Sequence, residues 1–236
     1  MQVDRTTGLV EGGPLVDTYV YEAPVRLWHW VTMLAMIVLG VTGYLIGAPL
    51  PAIGGEATEH FMMGYIRMIH MIAGWIFAVA FLVRVYWAFA GNHHAHALFI
   101  VPVWSGKWWA GLFSDIRYYL FMKKHGDLWL AHNPLAQFAM FSMFMLGAVV
   151  LIVTGFGLMA QQWAWGTSYM KWFGWVTVLF GEPQAVRTVH HLAMWYVLLF
   201  SLIHTYMVFR EDITRGSTVI STMINGIRMW KGEPKA

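Results

Sequence analysis

The 236-residue chain contains no cysteine. That absence excludes disulfides, Cys-ligated zinc, Cys-held iron–sulfur clusters and covalently attached C-x-x-C-H haem, so any redox chemistry must use other ligands. Charge is scarce as well: Asp, Glu, Lys and Arg make up 11% of the chain, against roughly 25% in an average soluble domain. So little polar surface cannot cover a water-soluble globule. With 58% hydrophobic residues and a mean hydropathy of +0.55, much of the chain must face lipid. The sequence also lacks paired carboxylates or a nucleophile constellation that would suggest hydrolytic chemistry, and it shows no repeat with a period of roughly 20–50 residues. Soft and aromatic residues are abundant instead: 17 Met, 14 Trp, 15 Phe and 10 Tyr. They suit bilayer interfaces and the walls of a flat aromatic ligand. The 11 histidines then become the residues to explain.

Four stretches, 27–47, 65–90, 135–160 and 189–209, are long and apolar enough to cross a hydrocarbon core of ~30 Å. Residues 1–22 read as a polar tail rather than a cleavable signal peptide, because no apolar core follows a basic start. Residues 213–236 read as a second tail. The run Trp172–Phe180 is too short to span and reads as interfacial, lying on the membrane or against a partner. The 91–131 connection interleaves Trp104, Trp108, Trp109 and Phe113 with Lys107, Asp115 and Arg117, the pattern of an amphipathic helix on the membrane surface. The expected fold is therefore an all-α membrane protein, a four-transmembrane-helix bundle over 23–212 with a cytoplasmic amphipathic segment. Of the 15 Lys and Arg, 12 fall on the side of the two termini and the 91–131 loop. The other side has Arg67, Lys171 and Arg187, so the positive-inside rule places both termini in the cytoplasm and the loops 48–64 and 161–188 outside.

Ionisable side chains inside spanning helices are functional suspects by default. Four histidines qualify. His29 and His204 lie near the cytoplasmic ends of helices 1 and 4, and His70 and His190 lie about one turn in from the outer face on helices 2 and 4. The 14 residues between His190 and His204 bring them within about 40° of one helix face and separate them by roughly 21 Å along the axis. His191 is rotated about 140° from the face of His204, which makes His190 the ligand candidate of the adjacent pair. Bis-His haem b needs two imidazoles at one depth on facing helices, with small residues nearby; Gly40, Gly43, Gly47, Gly74, Gly147, Gly155 and Gly157 could give that room. The plainer alternative is hydrogen bonding and tight packing between helices.

Arg-x-x-His occurs three times, as Arg26–His29, Arg67–His70 and Arg187–His190. Each arginine could pair with a haem propionate, or simply snorkel toward the interface. His93, His94 and His96 form a trio that reads as a solvated loop, with metal binding as the alternative. His132 and Asn133 precede Pro134 at the start of helix 3: Asn133 reads as a helix cap, and a polar contact from His132 or Asn133 to a quinone carbonyl is the sharper reading.

At this point the sequence resembles a known family, the membrane-anchored b-type cytochrome subunit of nickel–iron uptake hydrogenases. The resemblance runs from about residue 18 onward and is carried by YEAPVRLWHW at 21–30, MGYIRMIHMIAG at 63–74, RVYWAFAGN at 84–92, LFIVPVW at 98–104, AHNPLAQ at 131–137, HHLAMW at 190–195, REDI at 210–213 and STVISTMINGIR at 217–228. It implies a four-helix cytochrome of the bacterial inner membrane, related to the corresponding subunit of quinone-linked formate dehydrogenases. It also implies two non-covalent bis-His haem b groups, His70 paired with His190 and His29 with His204. Arg187 stands where some relatives carry a further histidine. The implied role is an electron-transfer subunit of a hydrogen:quinone oxidoreductase complex, with no hydrogen-activating site of its own. Electrons would come from the iron–sulfur small subunit of a periplasmic hydrogenase, whose large subunit holds nickel and iron, and would go to membrane quinone. The alternatives are the cytochrome b subunit of a formate dehydrogenase-type complex and a haem-free anchor or transporter.

Overall fold

The computed structural model describes residues 15–51, 60–123, 129, 132–163, 166–215 and 218–231. The elements in chain order are β1 (Leu15–Tyr19), α1 (Ala23–Gly47), α2 (Met62–Ala90), α3 (His93–Ala97), α4 (Gly106–Tyr119), α5 (Pro134–Ala160), α6 (Ser168–Phe173), α7 (Trp175–Phe180), α8 (Pro183–Arg215), α9 (Val219–Asn225) and β2 (Ile227–Lys231). Four of them, α1, α2, α5 and α8, are long and apolar enough to span a bilayer. Each contains one of the stretches expected from hydropathy and runs beyond it. The largest extension is in α8, 33 residues long. Its first turns start at Pro183, a residue suited to the first helical position, and its last turns carry Arg210, Glu211 and Asp212. Hydropathy marks where a helix meets lipid, and the backbone ladder continues past that point into polar sequence. Inside α5 the residues Met140–Met145 are π-helical. Nothing in the composition MFSMFM announces that.

The chain forms two compact units. The first contains the described residues within 1–27, 84–143 and 200–236. Here β1 pairs antiparallel with β2, Leu15 opposite Lys231 and Tyr19 opposite Ile227. The ribbon is closed by Gly226, whose carbonyl accepts from the N–H of Val20 at 2.8 Å and of Tyr21 at 3.3 Å. Gly226 has φ +85°, and a Cβ there would lie 2.5 Å from the Tyr21 carbonyl, so glycine is required. The expectation of two polar tails is corrected by this pairing: residues from both form a ribbon, and α9 sits within the second. The strands are some two hundred residues apart in sequence, a contact that local pattern reading does not see. The Glu22 carboxylate accepts from Trp87 Nε1 and from the Asn92 N–H, both at 2.9 Å, and Asn92 Nδ2 donates to the Val20 carbonyl at 3.0 Å.

Asn92 also caps α3, its side chain accepting from the Ala95 N–H. The His93–His94–His96 trio is thus a single helical turn rather than a solvated loop, because a cap supplies the missing partner for the first turn. Ser105 caps α4 in the same way. That helix buries Trp108, Leu112, Asp115 and Tyr118 and exposes Phe113, as its amphipathic pattern predicts.

The second unit contains the described residues within 28–83 and 144–199. Apolar side chains such as Leu34, Ile37, Val79 and Leu192 are more than half exposed along its long helices, which suits a lipid-facing surface. The run read as interfacial is broken at Gly174 into α6 and α7, and α7 docks on α5: Val176 is fully buried where Gly157 leaves room, and a Cβ on Gly157 would come within 2.7 Å of it. Trp172, Val178 and Leu179 on the other side stay exposed. Residues 52–59 of the loop expected to face outward, like most of the N-terminal 22, lie outside the described residues.

Candidate functional site

Within the second unit the structure brings His70 of α2 and His190 of α8 together, ring centroids 6.4 Å apart. Each imidazole is held by a threonine on a neighbouring helix. Thr42 of α1 lies 2.8 Å from His70 Nδ1, and Thr154 of α5 lies 2.8 Å from His190 Nδ1. The two hydroxyls are used identically. Thr42 donates to the Val38 carbonyl at 2.6 Å, and Thr154 donates to the Val150 carbonyl at 2.6 Å. With its own proton spent on the backbone, each hydroxyl oxygen can only accept from the imidazole, so the Nδ1 atoms carry protons and, in the neutral ring, the Nε2 atoms keep free lone pairs. The following residue in both helices is glycine. A Cβ on Gly43 would sit 3.3 Å from His70 Cε1, and one on Gly155 would sit 3.2 Å from His190 Cε1. The rings therefore pack directly on backbone. Sequence reasoning selected both histidines and both glycines but missed the threonines, although a signal was present: Val41-Thr42-Gly43-Tyr44 and Val153-Thr154-Gly155-Phe156 repeat one pattern on two spanning helices.

A family model described as prokaryotic cytochrome b561 matches residues 20–226. The chain belongs to that family. The cytochrome is 54% identical over 215 residues, 91% of its length and 90% of the relative's, to a protein of Azotobacter chroococcum named probable Ni/Fe-hydrogenase B-type cytochrome subunit. Relatives of the same kind are 46% identical in Cupriavidus necator, over 98% of both chains, and 48% identical in Escherichia coli K12, over 92% of this chain and 93% of the relative.

A b-type cytochrome implies non-covalent haem b, and the second unit of this cytochrome has residues that fit it. Two imidazoles reaching one metal ion from opposite sides through bonds of about 2 Å need ring centres roughly 6 to 6.5 Å apart, and His70 and His190 have that separation. The threonine contacts occupy Nδ1 and leave Nε2 as the ring nitrogen available to a metal, and glycine replaces any side chain that would crowd the rings. The neighbouring His191 is used differently. Its Nε2 accepts from Trp195 Nε1 at 3.0 Å, and its ring lies against Gly47.

The other residues singled out from sequence fall in separate places. His29 lies in the second unit with its ring 5.2 Å edge-on from Trp30, and His204 lies in the first unit stacked on Phe200 at 5.5 Å and 19°. Arg67 and Arg187 are exposed, and Arg26 Nη1 donates to the Ile224 carbonyl at 2.5 Å. Asn133 is the cap of α5, its Oδ1 accepting from the Ala136 N–H at 2.6 Å, with Pro134 in the first turn. Its Nδ2 donates to the Tyr119 hydroxyl at 3.1 Å, which in turn donates to Glu211 at 3.0 Å. His132 Nε2 lies 3.0 Å from the Tyr21 hydroxyl, while its Nδ1 is buried with no hydrogen-bond partner among the described residues. Burial, with the charges of Arg228 and then His204, Arg84 and His94 nearby, pushes the His132 imidazole down to about 3. Burial also pushes the Tyr21 phenol up to about 12, against the opposing pull of Arg228 and Arg84. The pair is therefore neutral at ordinary pH. Among the described residues no cluster of His, Asp and Glu suits a free metal ion, and the 93–96 trio forms none.

Proposed function

We propose that this cytochrome takes electrons from the iron–sulfur small subunit of a periplasmic nickel–iron hydrogenase and delivers them to quinone in the bacterial inner membrane. The observation that carries the reading is the His70–His190 pair, two imidazoles with ring centroids 6.4 Å apart on two spanning helices. Haem b, when bound, supplies one-electron chemistry. His70 and His190 would hold one haem. His29 and His204 would hold a second; that assignment rests on their helical positions in the sequence and on the family resemblance. Arg67 and Arg187, each one turn outward of its histidine, suit the propionates of the first haem, and Arg26 suits those of the second. The names of the relatives support a nickel–iron hydrogenase as the partner; the small subunit as electron donor follows from the family resemblance.

Quinone reduction takes two electrons and two protons, so the chain must orient the quinone oxygens as well as supply charge. Tyr21 donating its proton to His132 Nε2 leaves the proton of His132 on the buried Nδ1, an N–H free to donate to a quinone carbonyl. Both polar ends of the Asn133 side chain are occupied by the helix cap and Tyr119, so the quinone contact falls to His132 and Asn133 fixes the backbone beside it. The Lys and Arg asymmetry supports cytoplasmic termini. Hydrogen oxidation outside and proton uptake inside would then both add to the membrane potential. The test is a strain lacking this chain. Its membranes should still oxidise hydrogen with an artificial dye and should lose hydrogen-dependent quinone reduction. Unchanged quinone reduction would refute the role.

A further inference from the structure

The paired threonines have a consequence beyond ligation. Thr42 is 7% exposed and Thr154 1% exposed, so both lie inside the protein, where a hydrogen bond is felt more strongly than in water. Each spends its own proton on the carbonyl four residues back and offers a lone pair to an imidazole Nδ1–H at 2.8 Å. The arrangement is duplicated down to its weaker contact, since each hydroxyl also lies 3.4 Å from the carbonyl three residues back, on Leu39 and on Leu151. The back-bond alone is ordinary for a helical threonine, since Thr188, Thr205 and Thr214 make it too; what sets Thr42 and Thr154 apart is the second contact, in both cases to an imidazole Nδ1.

We infer that Thr42 and Thr154 are positioning residues that lock the tautomer of His70 and His190 and hold the reduction potential of the centre between them below the value it would otherwise have. The inference rests on the assignment of these histidines as haem ligands. An acceptor on the Nδ1–H makes the imidazole more electron-rich at Nε2, which favours the more highly charged oxidised metal. The hydroxyl also fixes ring rotation, and glycine in the next position lets the Cε1 edge of the ring approach the backbone.

The experiment is a redox titration of the purified complex carrying Thr42→Val, Thr154→Val, Thr42→Ser or Thr154→Ser, with haem content and low-spin electron paramagnetic resonance measured alongside. His70→Ala identifies which spectral component belongs to this site. Each valine variant should raise the potential of that component, by up to tenfold in the oxidised-to-reduced preference, ~59 mV for one electron. Its resonance signal should shift, and the serine variants should return both toward wild type. Loss of this haem in the valine variants with retention in the serine variants supports the same conclusion. An unchanged potential in both valine variants, equal effects of valine and serine, or a shift confined to the other component would overturn it. If His70→Ala retains every haem, the ligand assignment itself has failed, a result distinct from any threonine outcome.

Discussion

Replacing Gly155 with alanine should damage one haem while leaving the fold nearly intact. The added Cβ would stand 3.2 Å from His190 Cε1 and 3.9 Å from Nδ1, so the ring must retreat by a few tenths of an ångström. Retreat strains the 2.8 Å contact from Thr154 and changes the 6.4 Å separation of the two rings. Modest overpacking costs about 1 kcal/mol at its lower end, and alanine returns roughly the same through its better helix propensity. The two nearly cancel in stability, whereas disturbed support of a ligand typically weakens metal binding about 10- to 100-fold. Gly155→Val should go further and empty the site. Two controls separate geometry from general damage. At Gly147 a Cβ would meet Val197 Cγ2 at 2.7 Å, so Gly147→Ala should lower the melting temperature without selective haem loss. At Gly74 no atom lies within 4 Å, so Gly74→Ala should be neutral or slightly stabilising. Haem content by pyridine haemochrome and thermal unfolding in detergent read both effects. If Gly155→Val keeps a full complement of haem with an unaltered spectrum, the proximity argument is wrong.

Other positions give independent checks. Asn133→Ala should cost about 1 kcal/mol through the lost cap; slowed quinone reduction at unchanged stability would instead assign Asn133 to the quinone. Gly226→Ala forces a side chain into φ +85° against the Tyr21 carbonyl, so limited proteolysis should begin in the β1–β2 ribbon, and unaltered digestion would contradict that. His132 has a pKa near 3 in the folded protein and about 6.5 unfolded. The unfolded chain therefore binds a proton that the folded one refuses, and stability must fall as pH drops from about 6.5 toward 3. His132→Gln should flatten that slope in unfolding measured from pH 6.5 to 4; a steeper slope in the variant would reverse the sign of the argument.

The spans and the choice of His70 and His190, which the structure brings together, were legible because both follow from local rules. Twenty apolar residues mark a helix that meets lipid, and a histidine among them is expensive enough to notice. Helical phase alone separated His190 from His191, and in the structure it is the His190 ring that lies by His70 while His191 bonds Trp195. The cap at Asn133 was legible for the same reason. What escaped was non-local or disguised. The ribbon joins residues 15–19 to 227–231, and the polarity of these segments made them look like tails. Gly157 was counted as possible room for a ligand, but Val176 of α7 fills that room, a contact set by a loop rather than by periodicity. Thr42 and Thr154 escaped because threonine on a spanning helix ordinarily bonds its own backbone, which both do, and the second bond to an imidazole leaves no trace in a single helix.

Haem counts in three variants test the His70–His190 site most directly. His70→Ala and His190→Ala should each remove one and the same haem, identified by its spectrum and potential, and leave the other, because a bis-His site loses its geometry when either ligand goes. His191→Ala should retain every haem. Full haem content in both His70→Ala and His190→Ala, or loss of a haem in His191→Ala, would contradict the site.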